Sequence, residues 1–166
     1  MASEQIRPCS VDENPRLLQI INAAAARYRG VIPDDRWHDP YMSADELTRE
    51  IDSGVKFLGQ ERDGELVGVM GVQSVKHVEL IRHAYVVPSE QGRGVGGRLL
   101  EFLCARSARP MLVGTWASAV WAIRFYEQHG FALVGRAEVP QLLRAFWSIP
   151  ERQIETSVVL TKGYTL

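Results

Sequence analysis

The fold of this chain is decided by a glycine-rich stretch, Gln91-Gly92-Arg93-Gly94-Val95-Gly96-Gly97-Arg98-Leu99-Leu100. The stretch follows an apolar run that ends at Pro88, and it leads directly into a helical pattern. Where a strand turns into a helix, the unpaired N–H groups of the first helical turn and the positive end of the helix dipole together form an anion site. Glycines allow the backbone to approach a phosphate group closely. The stretch therefore predicts a ligand that carries phosphate.

Three known phosphate motifs compete for this stretch. Gly92-x-Gly94-x-x-Gly97 matches the dinucleotide fingerprint, but that fingerprint requires an acidic residue about 20 positions later, and Thr115-Trp116-Ala117-Ser118 supplies none. A nucleotide-binding oxidoreductase is therefore disfavoured. The phosphate loop of nucleotide hydrolases requires Lys and Ser or Thr after its last glycine, whereas this chain has Gly97-Arg98-Leu99. The pattern that remains is Gln/Arg-x-x-Gly-x-Gly/Ala, present here as Gln91 to Gly96.

This pattern resembles the pyrophosphate loop of the GCN5-related N-acetyltransferase (GNAT) superfamily. A second segment is similar to the block of that family that flanks the cofactor thiol, and it reads Ala122-Ile123-Arg124-Phe125-Tyr126-Glu127-Gln128-His129-Gly130-Phe131. The two motifs occur in the family's order, and the resemblance covers roughly residues 5 to 162.

The bulk properties agree with one globular domain over residues 1–166. A hydrophobic fraction of 46% excludes disorder, and a net charge of −1 gives no reason to bind nucleic acid or an anionic membrane. Cys9 and Cys104 form no CxxC pair, so neither a disulfide nor a metal site is expected. No apolar run approaches about 18 residues, and the N-terminal residues do not resemble a signal peptide, which favours a cytoplasmic location.

Periodicity predicts two early helices and a later alternation of strands and helices. The first helix is expected from Asn14-Pro15 to Gly30, and the second from a capping box at Ser43 to near Gly54, with Met42 and Leu47 as a hydrophobic staple. Strands are predicted over 55–61, 65–74, 78–87, 111–116, 131–138 and 154–161, and further helices over 94–108 and 118–130, the latter capped by Ser118. Residues 140–150 show too little periodicity to assign.

The resemblance implies an α/β (α+β) fold with a central mixed, mostly antiparallel sheet and about four flanking helices. In this family strands four and five splay apart, and the pantetheine arm of the cofactor lies in the gap. If the segments 78–87 and 111–116 are those strands, the open edge is satisfied by ligand.

The resemblance further implies that acetyl-CoA or coenzyme A is bound as co-substrate. The loop residues expected around the pyrophosphate are Gln91, Gly92, Gly94, Val95, Gly96 and Gly97, mainly through backbone N–H groups. Arg93 and Arg98 would add charge, and Arg93 could instead reach the 3′-phosphate. The strand residues Tyr85, Val86 and Val87 would offer backbone groups to the pantetheine. The alternatives are a tight turn that binds nothing and an ordinary central strand.

Tyr126 is the candidate general acid, because it matches the family's tyrosine and a phenol can protonate a leaving thiolate. The alternative is an aromatic packed near Ala122 and Phe125. The family often carries an Asn seven residues earlier, where this chain has Ala119.

The base that deprotonates the acceptor is predicted to be Glu79 or His83. Regular strand alternation puts these two side chains on one face of the strand and Arg82 on the other. If the acceptor lies on the other face, neither can be the base. His38, Glu46 and Glu50 are expected to be solvated surface residues.

The sequence therefore predicts an acetyl-CoA-dependent N-acetyltransferase that uses direct attack in a ternary complex. The expected acceptor is a small primary amine, and aromatic or aliphatic monoamines are favoured over polyamines because aromatic residues cluster in 28–50 and 140–147. The alternatives are a protein N-acetyltransferase and a non-catalytic CoA-binding or regulatory module. Neither nucleic acid nor membrane is an expected partner, and a homodimer is left open.

Overall fold

A computed structural model describes residues 3–166 of the chain. The strands within these residues are β1 (Glu4–Pro8), β2 (Lys56–Arg62), β3 (Glu65–Val75), β4 (Val78–Val86), β5 (Met111–Trp116), β6 (Ala132–Leu133) and β7 (Ser157–Lys162). The α-helices over the same range are α1 (Asn14–Ala25), α2 (Ala44–Asp52), α3 (Val95–Arg106), α4 (Val120–Gln128), α5 (Val139–Phe146) and α6 (Glu151–Glu155).

The seven strands of residues 3–166 form one sheet in the order β1-β2-β3-β4-β5-β7-β6. Every neighbouring pair is antiparallel except β4 and β5, which are parallel. The predicted mixed, mostly antiparallel sheet is therefore confirmed. The helices cover both faces. Leu80 of β4 packs in the cluster that contains α5, whereas its neighbour Ile81 packs in the cluster that contains α3, as expected for side chains that alternate along a strand.

The early helices begin largely where the sequence indicates. The Ser43 hydroxyl accepts from the Glu46 N–H at 3.1 Å, and Met42 and Leu47 are buried in one cluster, so the predicted capping box and staple are confirmed. Helix α1 starts at Asn14 itself, which places Asn14 inside the first turn rather than at the cap. The predicted cap of α4 is wrong, because Ala119 is the N-cap and Ser118 contributes only its carbonyl, to the Val120 N–H.

The C-terminal third differs most from the prediction. The strand expected over 131–138 is reduced to β6, and α5 occupies most of the 140–150 stretch that lacked clear periodicity. The last strand begins at Ser157 rather than Ile154, because α6 takes Ile154 and Glu155. The described residues thus carry six α-helices rather than about four. Strand β1 was also not predicted, because a five-residue segment with charged residues and a proline shows no apolar alternation.

The sheet opens between β4 and β5. These strands pair over three residues each, from Glu79 opposite Met111 to Ile81 opposite Val113, and then separate. The strands expected to splay, residues 78–87 and 111–116, are indeed the fourth and fifth strands. The gap lies in the middle of the sheet, with helices on both sides.

A bulge in β4 lies beside this gap. Gly71 of β3 pairs with Arg82, and Val69 pairs with Tyr85, so that one residue of β3 faces two of β4. His83 is one of the two, and its φ of +55° lies in the left-handed region that residues with a side chain seldom adopt. The bulge ends the regular alternation of β4 at this residue.

Candidate active site

The glycine-rich loop connects the end of β4 to the N-terminus of α3. Gly92 and Gly94 adopt φ values of +77° and +81°, which a glycine tolerates best. Gly94 is the N-cap of α3 and offers no side chain, so the N–H groups of Gly96 and Gly97 in the first turn have no side-chain partner from the cap. The helix start that the sequence predicts is therefore present, and its first N–H groups are available to an anion.

Arg98 lies under this loop with unused hydrogen-bond donors. Its Nη1 donates to the Arg93 carbonyl at 3.2 Å, while Nε and Nη2 are buried and have no hydrogen-bond partner among residues 3–166. The nearest carboxylate oxygen, on Glu4, is 3.9 Å from Nη2. The Arg98 side chain as a whole is 40% exposed, and a cation with free donors beside a helix N-terminus suits the phosphate oxygens of a ligand.

The other loop side chains serve mainly the protein. The Gln91 amide donates to the Val86 carbonyl at 3.2 Å and so holds the loop against β4. Arg93 is largely exposed, and its guanidinium lies 3.7 Å from the Glu90 carboxylate. The Val87 N–H donates to the Val67 carbonyl, so that donor is not free for a ligand, and Val87 does not line the cavity described next.

A cavity of about 530 Å³ extends from the loop along β4 to α4. Its walls include the loop glycines, and from the other elements Ala84, Tyr85, Val86, Thr115, Phe125 and Tyr126. The cavity joins the N-terminus of α3 to the gap in the sheet, a shape that suits a ligand with a phosphate end and an extended arm.

Tyr126 borders this cavity from α4. Its side chain is 5% exposed, and its ring packs edge-on against Phe125 and Phe131, with centroids 5.0 and 5.5 Å away. Burial raises the pKa of the phenol well above its ordinary value of 10, so the hydroxyl carries its proton at neutral pH. Ala119, where the family often has Asn, is fully buried beside Ile32 and Trp116.

A second cavity of about 130 Å³ borders α5, which packs on the face of the sheet opposite α3. Its walls come from the loop before α2, from the end of β5 and from the segment after α5, through Tyr41, Trp116 and Trp147. The two cavities share six lining residues, Tyr28, Ile81, His83, Tyr85, Gly114 and Thr115. They therefore meet at the gap between β4 and β5.

Three phenol side chains surround this junction. The ring of Tyr28 lies 5.5 Å from that of Tyr41 and 6.4 Å from that of Tyr85. Burial raises the pKa of Tyr28 to about 12 and also raises the pKa values of Tyr41 and Tyr85. All three are neutral hydroxyl groups at physiological pH. From the sequence, only the backbone of Tyr85 is expected to take part, because nothing local shows that these three side chains converge.

His83 borders both cavities, and its partner is a residue that was expected to be solvated. The Nε2 atom lies 3.4 Å from Oε2 of Glu50, whose Oε1 accepts from Nη2 of Arg82 at 3.0 Å. Burial acts to raise the pKa of Glu50, but hydrogen bonding to His83 and the charges of His83 and Arg82 outweigh it and lower that pKa. The expectation of a solvated Glu50 is wrong, since its side chain is 22% exposed.

Glu79 is not brought to this junction. Its two carboxylate oxygens accept from the Ser74 hydroxyl at 3.0 Å, and it lines neither cavity. The expectation that Glu79 and His83 share a face is wrong, because the bulge turns the His83 ring towards Phe57 and Glu50.

The predicted aromatic walls are only partly present. Trp147 and Tyr41 line the second cavity, and Trp37 packs against Tyr41 with ring centroids 5.7 Å apart. Phe146 is instead buried in the cluster under α5, and His38 lines neither cavity.

The part of the chain that the structure describes contains no helix long and apolar enough to cross a membrane. The same residues contain no group of three or more His, Cys, Asp or Glu side chains that could hold a metal ion.

Comparisons with known proteins point to one family. The model of the acetyltransferase (GNAT) domain family matches residues 20–144. The UPF0157 protein YqkA of Bacillus subtilis (strain 168) is 29% identical over 104 residues, which cover 60% of this chain and 30% of that protein. The matched segment thus spans only about 30% of the length of that curated relative.

Two solved structures share the fold. PaiA N-acetyltransferase from Thermoplasma acidophilum, in complex with coenzyme A, superimposes with a TM-score of 0.72 at 18% identity, covering 98% of this chain and 99% of that one. N-acetylglutamate synthase from Neisseria gonorrhoeae, complexed with coenzyme A and N-acetyl-glutamate, gives a TM-score of 0.65 at 19% identity over 98% of this chain and 35% of that one.

Proposed function

This chain belongs to the GNAT acetyltransferase family, and we propose that it transfers an acetyl group from acetyl-CoA to a small primary amine by direct attack in a ternary complex. The observation that carries the proposal is the meeting of two cavities at one gap in the sheet. One cavity begins at the N-terminus of α3, and the other is walled by α5, which packs on the face of the sheet opposite α3. A donor and an acceptor can therefore approach the same point from opposite sides.

The acyl donor would be held by groups near the loop that have no hydrogen-bond partner among the residues that the structure describes. The first-turn N–H groups of α3 and the unpaired donors of Arg98 would bind the pyrophosphate. Backbone groups of Tyr85 and Val86, which border the gap, would pair with the pantetheine amides as a neighbouring strand would. The acyl group would then reach the junction of the two cavities.

The chemical step needs one base and one acid. The amine nitrogen forms a bond to the thioester carbonyl carbon, the carbon–sulfur bond breaks, and the nitrogen loses a proton. His83 is proposed to take that proton, because it borders both cavities, whereas Glu79 borders neither. Tyr126 is proposed to protonate the departing thiolate, since it lies beside the first cavity and retains its proton at neutral pH.

The rival functions draw less support from the site. The absence of the family's Asn would suit a non-catalytic module, but Ala119 at that position is a fully buried packing residue rather than a cavity wall. A protein acceptor would have to enter a second cavity of about 130 Å³ with its terminal residues. A small amine requires no such threading.

The proposal is tested by two measurements on the purified full-length protein. Calorimetry should show binding of coenzyme A and of acetyl-CoA, and release of free thiol should be followed across a panel of amines and N-terminal peptides. Thiol release with at least one amine supports the transferase. CoA binding without turnover of any amine or peptide would favour the non-catalytic module, and faster turnover of peptides than of free amines would favour a protein acetyltransferase.

A further inference from the structure

We infer that Glu50 is a positioning residue for His83. It holds the imidazole with its proton on Nε2, so that Nδ1 is the nitrogen that accepts a proton from the amine. The inference rests on the proposed function, in which His83 is the base. It assigns a role to a side chain of α2 that sequence reasoning placed in solvent.

His83 and Glu50 place two buried polar atoms side by side. Nε2 of His83 and Oε2 of Glu50 are both buried, and neither makes a hydrogen bond to any of residues 3–166. They face each other at 3.4 Å. A buried polar atom without a partner is costly, so each atom gains most by pairing with the other. Catalytic hydrogen bonds are often long before substrate binds and shorten in the complex.

The charge of Glu50 decides which nitrogen of His83 carries the proton. Its pKa lies below the ordinary value, so the side chain is a carboxylate at neutral pH and can only accept hydrogen bonds. The neighbouring nitrogen must then be the donor, and a neutral imidazole with its proton on Nε2 keeps a lone pair on Nδ1. The Nε2–H tautomer of His83 therefore follows from the negative charge of Glu50.

The side chains of Glu50 and His83 are both held in place by other residues. Arg82 donates to Glu50 Oε1 at 3.0 Å, and through its other terminal nitrogen to the Gln73 side chain, also at 3.0 Å. The His83 ring stacks on Phe57 with centroids 6.2 Å apart, and the bulge fixes its backbone at φ +55°. The pair is therefore pre-organised rather than a contact between two mobile side chains.

Glu50 is the anion beside the His83 ring, because the other groups around the ring are neutral or positively charged. Tyr28 and Tyr85 face the junction as neutral phenols, and Arg82 and the more distant Arg27 are cations. Among the described residues that line either cavity, the sole carboxylate is Glu90, at the phosphate-loop end. When Nδ1 takes the proton from the attacking amine, the Glu50 carboxylate stabilises the imidazolium. That proton then passes to solvent, and Tyr126 regains from solvent the one it gave to the thiolate.

The test uses full-length protein with ¹⁵N-labelled histidine, saturated with coenzyme A. Long-range ¹H–¹⁵N couplings report the tautomer of each ring, and comparison with His83→Asn assigns the His83 signals among the four histidines of the chain. We expect the Nε2–H tautomer in the wild type and a mixture of tautomers in Glu50→Gln. Glu46→Gln, a change of the same type on the same helix, should leave the His83 signals unchanged.

Kinetics on an identified amine give the second readout. Glu50→Gln should lower kcat about ten- to a hundredfold while KM for acetyl-CoA stays the same, since a positioned base contributes roughly 10²–10⁴-fold. In the His83→Asn background the same change should cost almost nothing, because the two residues act as a unit.

Three outcomes separate the inference from the proposed function. An Nδ1–H tautomer in the wild type, or an unchanged tautomer in Glu50→Gln, would overturn the positioning role whether or not an amine is turned over. Independent, multiplying losses in the double variant would overturn it as well. A tautomer that depends on Glu50 in a protein that acetylates no amine would support the pairing and count against the proposed function alone.

Discussion

The indole N–H of Trp116 donates to the hydroxyl of Tyr41 at 3.1 Å. Trp116 ends β5, and Tyr41 lies in the loop that precedes α2, so this bond fastens the early loop to a strand that borders the gap. Both residues line the second cavity. The shape of the proposed acceptor site therefore depends on a contact between residues that are far apart in the sequence.

Gly94→Asp should abolish binding of coenzyme A. A Cβ at Gly94 would lie 3.0 Å from Nη1 of Arg98, so an Asp side chain would pair with that guanidinium and place a negative charge against the phosphates. Gly94→Asn has nearly the same shape and the same strained φ without the charge. Calorimetry should find weakened binding for Asn and none for Asp. Wild-type affinity in the Asp variant would remove the basis for the phosphate-loop assignment.

Tyr126→Phe should lower kcat about 10²-fold, near the lower end of the range for general acid catalysis, because water can replace the phenol. The ring and its packing remain, so folding and affinity for coenzyme A should be unchanged. Tyr164→Phe is the matched control, since Tyr164 stacks on His77 and lines neither cavity. Steady-state kinetics on an identified amine decide the matter, and unchanged turnover would mean that the Tyr126 hydroxyl is structural.

Ser43→Ala should destabilise the fold by about 1 kcal/mol, because it removes the side-chain acceptor for the Glu46 N–H at the start of α2. For a chain of this size, that corresponds to a fall of roughly 2–4 °C in Tm. Ser10 also precedes a short helical turn, but its side chain makes no cap bond. Ser10→Ala should therefore leave the melting curve where it is, and an equal shift in both variants would argue against the capping role.

Stability should depend on pH through Glu50. Its pKa in the folded protein is lower than the ordinary value of 4.5, so below that value the unfolded state binds the proton more readily. Its contribution is fully present above pH 4.5 and is lost as the pH falls through the folded-state pKa. Urea unfolding at about pH 6 and about pH 3 should show a larger loss for the wild type than for Glu50→Gln. The exposed Glu101→Gln should behave like the wild type, and identical pH dependence in Glu50→Gln would contradict the pairing.

The acceptor should carry no more than one positive charge. Tyr28, Tyr41 and Trp147 line the second cavity with Arg82, and no carboxylate of residues 3–166 lines it. A second or third ammonium group would lose its hydration without gaining a partner. In a screen by kcat/KM, phenethylamine and hexylamine should exceed spermidine. Spermidine or an acidic amino acid as the best acceptor would overturn this preference.

The sequence predicted the parts of this molecule that depend on local chemistry. The glycine loop, the cap at Ser43 and the position of Tyr126 before Gly130 can be read directly, because each rests on residues within one or two helical turns. The separation of β4 and β5 followed from the family resemblance rather than from periodicity.

What could not be predicted depends on tertiary packing. No glycine or proline in the sequence indicates the bulge at His83. The bulge puts that side chain on the face of the sheet opposite to the one that regular alternation predicts. Glu50 looks like any polar residue of an amphipathic helix until Arg82 and His83 are placed beside it. Helix α5 was missed because a proline and a short length obscure its apolar stripe.

The narrow seam between β4 and β5 links ligand binding to the stability of the whole domain. Three residue pairs join the two sides of the sheet there, and the polypeptide crosses from one side to the other between α3 and β5. A donor arm lying in the gap would add backbone bonds where the sheet has fewest of its own. By mass action, a ligand that binds only the folded state raises the free energy of unfolding. The acyl donor would thus act as a reversible staple, and the protein would resist heat and proteases most when it is loaded for reaction.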